Sequence, residues 1–592
     1  MFIARQHART RTALLRPHVR YASRRVLPEM LEPVNKVTEQ LAKTQVWTKR
    51  RGRKPAGSLV GDGNRLNIVS QDLCDDIINY LGPSLERHRG CDLVDLNPGV
   101  GLWSRALHAA VQPRKHIMME RDAQLYKPFL EDLVARPNVH FIPKAGILWR
   151  DLNEMLETCL PHQKKMDPAA EPERNDTLLV SVNLAFYPPK KFVQFECVST
   201  MVLYQLMSSI RSASLFQQYG RVRMLFWIND DGKRRIIPRS CFRRKRAAFE
   251  AELACEWVHE VAGKDVETED RFELRDEWIN MESGYRTLDR MKSAGLTMPS
   301  GRETFLYNSL IKDTSLAGQQ LAGKRRPIVN RPFRQELDEL EAKFAESKDK
   351  IPGDRLKQLR FRERYDLEDS TLYLELQQER DRLLDLWRTS PDSFPHADVD
   401  AWNARIDSLK KNSRKEFITG RDNYHVFRQD PPAMSWDRRA YEPLAVRADE
   451  FYPQVPCTLL DVQPKPMSPW LRQHGPNSNS GNMADVMLRH WFNHMLNPVS
   501  KAMDSTWPGF GDLMSEIPSL IDPDQGGSPL KGNGELVARL VNENQWADIV
   551  QTFVNWPFAP KYRELVGRLL DDHDAEGDES EDNQTKSGAQ LF

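Results

Sequence analysis

The sequence predicts an α/β protein, a mostly parallel sheet with a large helical insertion and a small C-terminal helical domain. Three observations predict it. Over residues 64–230, apolar runs of strand length alternate with helix-periodic stretches, the pattern of strands joined by right-handed crossovers. Within that span, "DLVDLNPGVGLWSRALH" (Asp92–His108) places an apolar run, two glycines spaced G-x-G and a helical pattern in succession. After a charged, helix-periodic region at 231–440, a strand signal returns at 441–466 in "EFYPQVPCTLLDVQPK".

The first helix is "DLCDDIINYLG", with Leu73, Ile77, Ile78 and Leu81 on one face. "CDLVDL" then reads as a buried strand, "WSRALHAAV" as a helix, "HIMME" as a strand, "LYKPFLEDLV" as a helix and "VHFIP" as a strand. "TLLVSVNLAFY" and "RVRMLFWI" complete the first run of strands. In 231–440 the clearest elements are helical, "FRQELDELEAKFAE" and "STLYLELQQERDRLLDLW". Residues 467–570 read as a helical domain containing "MADVMLRHWFNHML", "ELVARLV" and "WADIVQTFV".

Charge is distributed unevenly. The 592 residues carry a net charge of only +1. Yet residues 1–54 hold 14 Lys/Arg against three Glu, and 571–592 hold eight Asp/Glu against one Lys. A basic head suggests nucleic-acid contact, and the acidic end reads as a disordered tail. Residues 1–25 contain seven arginines and no acid, the composition of a mitochondrial presequence, here placed at 1–30 and followed by a basic linker at 31–63. That composition predicts a location in the mitochondrial matrix. The seven cysteines show no C-x-x-C spacing, which predicts neither disulfides nor a metal site. With no apolar run of membrane-spanning length, no membrane partner is expected.

The glycine loop suggests the chemistry. Gly99 and Gly101 remove bulk at the carboxyl end of a strand, where an open parallel sheet receives its ligand. Glu120, at the end of the next strand, is placed to accept hydrogen bonds from the ribose hydroxyls of a nucleoside cofactor. "VNLAFY" ends a later strand with Asn183 and Phe186.

In this order the segments resemble the KsgA/Dim-type rRNA adenine N6-dimethyltransferases, whose first motif reads E-x-G-P-G-x-G-x-L-T and whose catalytic motif reads N-L-P-Y. Asp95, Pro98, Gly99, Gly101 and Ser104 match the first motif directly or conservatively, and Asn183-Leu184-Ala185-Phe186 matches the second. "RLNIVS" and "FYPQVPCTLLDVQPK" resemble the family's first cofactor-binding segment and a late strand. The likeness is closer to the fungal mitochondrial transcription factor B branch, the specificity factors of the mitochondrial RNA polymerase. It spans roughly 64–230 and 441–560.

The resemblance implies a class I S-adenosylmethionine-dependent methyltransferase sheet, Rossmann-like, with S-adenosylmethionine as cofactor. Asn67, Val69, Asp95, Asn97, Gly99, Gly101, Glu120 and Asn183 would line its site. Asn183 would orient a target adenine and Phe186 would stack it. The departures suggest weakened or lost methyl transfer. No acid stands at Ala145-Gly146, where the family holds the cofactor's adenine; Asn97 replaces a glycine and Ala185 a proline.

Two basic clusters point to nucleic acid. Arg51-Gly52-Arg53-Lys54 resembles the minor-groove core of an AT-hook, though no proline directly follows the second arginine. Lys233–Arg246 holds eight Lys/Arg and no acid, with Arg243, Arg244, Lys245 and Arg246 at its end; it is expected to contact phosphates. Two functions follow. One is a transcription initiation factor that binds the mitochondrial RNA polymerase and promoter DNA. The alternative is an active dimethyltransferase of the mitochondrial small-subunit rRNA.

Overall fold

The computed structural model describes residues 26–48, 59–189, 197–265, 274–329, 331–347 and 353–571. Ten strands are β1 (Asn67–Ile68), β2 (Asp92–Leu96), β3 (Lys115–Met119), β4 (Val139–Ile142), β5 (Arg174–Asn183), β6 (Arg221–Asn229), β7 (Cys255–Lys264), β8 (Leu444–Val446), β9 (Phe451–Tyr452) and β10 (Cys457–Pro464). Eight of them form one sheet in the order β4-β3-β2-β5-β6-β10-β7-β8. All neighbours pair in parallel except β10, which runs antiparallel to both β6 and β7. This is the mostly parallel, Rossmann-like sheet expected from the sequence. From β2 the chain moves outward to β3 and β4, then crosses back to β5. That reversal lies between β2 and β5, the position where such sheets place a ligand crevice.

Strand alternation builds a core on each face. Val94, Leu96, Val180, Val182, Met224, Phe226, Leu460 and Val462 face one core, which runs on into the C-terminal helices through Met487, Trp491, Trp546 and Phe553. Leu93, Leu179, Leu225, Trp227 and Leu459 face the other, against helices Gln71–Leu85 and Leu102–Val111. The C-terminal helices Ser478–Asn493, Val499–Thr506, Glu543–Asn555 and Tyr562–Asp571 thus pack on the sheet through a shared core.

The returning strand is locked by charge. Arg223 on β6 and Asp461 on β10 form a bidentate pair at 2.8 and 2.7 Å, with side chains 1% and 2% exposed. Burial alone would raise the Asp461 pKa; the adjacent Arg223 outweighs it and holds the carboxylate charged.

Two readings of the sequence need correction. The region 231–440 is mainly helical, as expected, but it contains β7, a strand inside the sheet. Glu256, His259, Glu260 and Lys264 interrupt its apolar pattern, and the fold satisfies the buried Glu260 with Lys233 at 2.7 Å. Residues 31–63 are not simply a linker. Helix Lys36–Thr44 starts with a capping box between Asn35 and Thr38. It buries Leu41, and Trp47 packs edge-on against Tyr452 at 5.3 Å. Much of the presequence segment, and all but the first residue of the acidic tail, lie outside the described residues; Pro28–Leu31 is a short helical turn.

The insertion is built mainly of helices. Pro332–Glu346 and the 36-residue helix Asp354–Thr389 pack through Phe333, Leu337, Leu356 and Leu359. Arg355–Glu336 and Arg360–Glu341 bridge them on the exposed side. His425 ties the long helix to the C-terminal domain. Arg380 approaches its Nδ1 at 3.0 Å, so Nε2 carries the proton and donates to the Gly526 carbonyl at 3.1 Å. Burial, then the charge of Arg380, push its pKa down to about 3.

This has a consequence for stability. The folded imidazole stays neutral from its ordinary pKa of about 6.5 down to about 3, while the unfolded chain takes up the proton. Stability therefore falls as pH drops through that window, by up to about 1.4 kcal/mol per pH unit from this group. His425→Gln should lose roughly one proton's share of the pH slope between pH 6 and 4.5 in urea unfolding. An unchanged slope would contradict the assignment.

Candidate functional site

The sheet order sets the site. β3, β2 and β5 are adjacent, with Leu96 in register with Met119 and with Val182. The residues that follow them, Asn97, Glu120 and Asn183, therefore meet at one carboxyl edge. The loop after β2 needs left-handed backbone three times, at Asn97 (φ 60°), Gly99 (φ 60°) and Gly101 (φ 76°). Asparagine is among the few non-glycine residues that take this conformation readily. At Asn97 the side chain also works, since its Nδ2 donates to the Asn183 carbonyl at 3.1 Å. The substituted position in the motif thus ties the β2 loop to the end of β5.

The glycines are favoured by their left-handed backbone, and close neighbours add to that. A Cβ at Gly99 would overlap Asn67 Oδ1, and one at Gly101 would overlap the Leu130 side chain. The space over both is filled from within. Residues 91–101 are all buried. The loop is covered by β1, paired antiparallel with β9 through Asn67 and Tyr452. The Val69 amide donates to the Glu450 carbonyl at 2.9 Å, and Val69 accepts from Asn35.

Glu120 is fully buried. Its Oε1 accepts from Arg65 Nη1 at 2.8 Å and from the Asp122 amide at 3.0 Å; its Oε2 accepts from the Gly99 amide at 3.2 Å. Arg65 also donates to the Asn97 carbonyl and lies 5.2 Å from the centre of the Tyr126 ring. Burial opposes its charge, but the Glu120 carboxylate outweighs burial and the guanidinium pKa ends above its ordinary value. Asp95 accepts from Ser104 and lies 3.8 Å from His116. The Trp103 indole donates to Ser181 at 3.0 Å.

Asn183 is committed in the same way. Its Nδ2 donates to the Leu66 carbonyl at 3.1 Å, and its Oδ1 accepts from the Ala185 amide at 3.0 Å. Phe186 is half-buried, its backbone clasped by the Asn229 side chain at 3.0 and 2.9 Å. Ala145 and Gly146 pack closely, with Gly146 against Leu96. Asp151 opens helix Trp149–Cys159, paired with Arg150 at 3.3 Å.

The residues expected to hold S-adenosylmethionine are thus brought together, yet they do not fit it in this arrangement. The ribose acid and the Asn97 carbonyl are engaged by Arg65, and the loop is covered. Arg65, the first residue of "RLNIVS", carries no role in the sequence reading. A lone arginine carries no spacing signal, and only the fold brings it to Glu120.

Arg244 and Lys233 of the second basic cluster are structural, which corrects their reading as part of a phosphate-contact surface. Arg244 is 1% exposed, is paired with Glu252, and donates to the Arg539 and Val541 carbonyls at 2.6 and 3.0 Å. Lys233 is buried between Asp230 and Glu260. Arg246 is half-buried and pairs with Glu250 at 2.7 Å; Arg243 is half-buried and Lys245 exposed. Lys233, Arg244 and Arg246 are therefore engaged within the fold, while Lys245 stays exposed. Arg51, Arg53 and Lys54 lie outside the described residues.

The dual role of Asn97 can be measured. Asn97→Ala should cost about 2–3 kcal/mol in urea unfolding, combining left-handed strain with a buried carbonyl left unpaired. Asn97→Gly should cost about 1 kcal/mol less, because only the hydrogen bond is lost. Equal losses would show that the backbone conformation is not the constraint.

Comparison with known proteins adds little beyond this geometry. No family model matches the sequence, and no curated protein matches it. Among solved structures, the chain is similar to a dimethyladenosine transferase from Plasmodium falciparum, at 13% identity, over 50% of this chain and 94% of that one, with a TM-score of 0.22.

Proposed function

We propose that the chain is a mitochondrial transcription initiation factor, a binding protein on an adenine dimethyltransferase-type scaffold. It would act in the matrix, joining the mitochondrial RNA polymerase and helping it recognise and open promoter DNA. The observation that carries this reading is Asn183. In a methyltransferase its amide would have to face a target adenine. Here Nδ2 already donates to the Leu66 carbonyl and Oδ1 already accepts from the Ala185 amide, so the amide is turned onto the chain's own backbone, with one N–H and one lone pair left over. Rotating the amide away from these two partners toward a base would cost about 1–3 kcal/mol for each group left unsatisfied. The basic, acid-free residues 1–25 and the cluster at Arg51, Arg53 and Lys54 support mitochondrial targeting and nucleic-acid contact. S-adenosylmethionine would be vestigial on this reading.

The test pairs two assays on the purified chain. Promoter-directed run-off with the cognate polymerase should depend on the protein. Methyl transfer to a small-subunit rRNA hairpin should not rise above a blank. Transfer that disappears in Asn183→Ala would overturn the reading in favour of an active rRNA dimethyltransferase. Run-off unchanged by omission of the protein would also overturn it.

A further inference from the structure

We propose that the Arg65 side chain is a resident ligand filling a nucleoside subsite, and that removing it uncovers a latent site for a vicinal diol. This stands apart from the transcription reading, since it concerns only what the carboxyl edge of the sheet can hold.

The argument begins with acceptors. Two oxygen acceptors meet at the ends of β2 and β3, the Glu120 carboxylate and the Asn97 carbonyl. A buried carboxylate must be paired, or the fold bears a large desolvation penalty. A guanidinium offers two donors in a planar fork, and Arg65 spends Nη1 on Glu120 and Nη2 on Asn97. A vicinal diol offers the same thing, two neighbouring O–H donors. The side chain and a vicinal diol therefore share one recognition chemistry.

The enclosure supports the same conclusion. Arg65 is 3% exposed and Glu120 is fully buried, so the pair sits inside the protein. Tyr126 covers the guanidinium at 5.2 Å, as an aromatic ring covers a cation. Trp47 fixes the arginine's backbone by donating from its indole to the Arg65 carbonyl at 2.9 Å. Beside Gly99, the Asn67 amide lies against the buried Tyr126 hydroxyl, and Arg65 Nε is buried without a hydrogen-bond partner among the described residues. Buried polar atoms are normally satisfied. With Asn67, Tyr126 and Glu120 around it, the guanidinium lies in a polar chamber, and its own Nε is left unsatisfied there.

The experiment uses the full chain and adenosine as the probe, with 2′,3′-dideoxyadenosine as the control, followed by calorimetry. The unaltered protein should bind neither at millimolar concentration. Arg65→Ala should bind adenosine at least tenfold more tightly than the dideoxy compound, and Arg65→Ala/Glu120→Ala should lose that preference. Arg65→Lys keeps the charge but has a single ammonium in place of the fork, so it should show a smaller gain and serves if the alanine variant does not fold. Adenosine binding to the unaltered chain as tight as to Arg65→Ala would overturn the proposal. So would a folded variant with no gain. Run-off transcription does not enter this test, so the two readings fail separately.

Discussion

A carboxylate with no access to water lies at the centre of this architecture. Glu120 must have partners, and the chain supplies all of them: the Arg65 guanidinium, the Gly99 amide and the Asp122 amide. To deliver Arg65, the segment before β1 has to lie across the sheet's carboxyl edge. There it is held by β9 from the far end of the chain and by Trp47 from the N-terminal side. Electrostatic necessity at one residue thus draws together three stretches remote in sequence. It also determines what the glycine loop can do, since a loop committed to Glu120 and Asn67 is a packing element.

The second buried pair, Arg223–Asp461, serves the sheet in the same manner. β10 is the single antiparallel strand of the large sheet and arrives after an excursion of some 190 residues from β7. Hydrogen bonds along its backbone give alignment, while the ion pair rewards one register, because a one-residue slip would face Asp461 away from Arg223. Buried pairs of this kind contribute little net stability compared with apolar packing, but losing one partner is costly. They act as specifiers of the fold.

The parallel half of the fold was legible because its strands are apolar and its helices periodic, and the G-x-G turn marked the central strand correctly. β7 was not, because Glu256, His259 and Glu260 disguise it and its satisfaction by Lys233 is a tertiary fact. The helix at 36–44 left a signal in the Asn35–Thr38 capping box, obscured by the basic run that follows. Asn97, Gly99, Gly101, Glu120 and Asn183 were placed at one edge by motif order alone, and the structure gathers them there. Charge density misled at Arg244 and Lys233, because the sequence cannot show that Glu252, Glu260 and Asp230 fold back to neutralise them. Arg65 was invisible for the same reason, and it decides what the edge holds.

The carboxyl edge of the sheet, where S-adenosylmethionine is expected from the sequence, is taken up by the chain's own Arg65. Titration of the unaltered protein with S-adenosylmethionine, followed by calorimetry, tests this most directly. The account predicts no saturable heat up to millimolar cofactor. Saturable binding in the micromolar range, lost in Glu120→Gln, would contradict it.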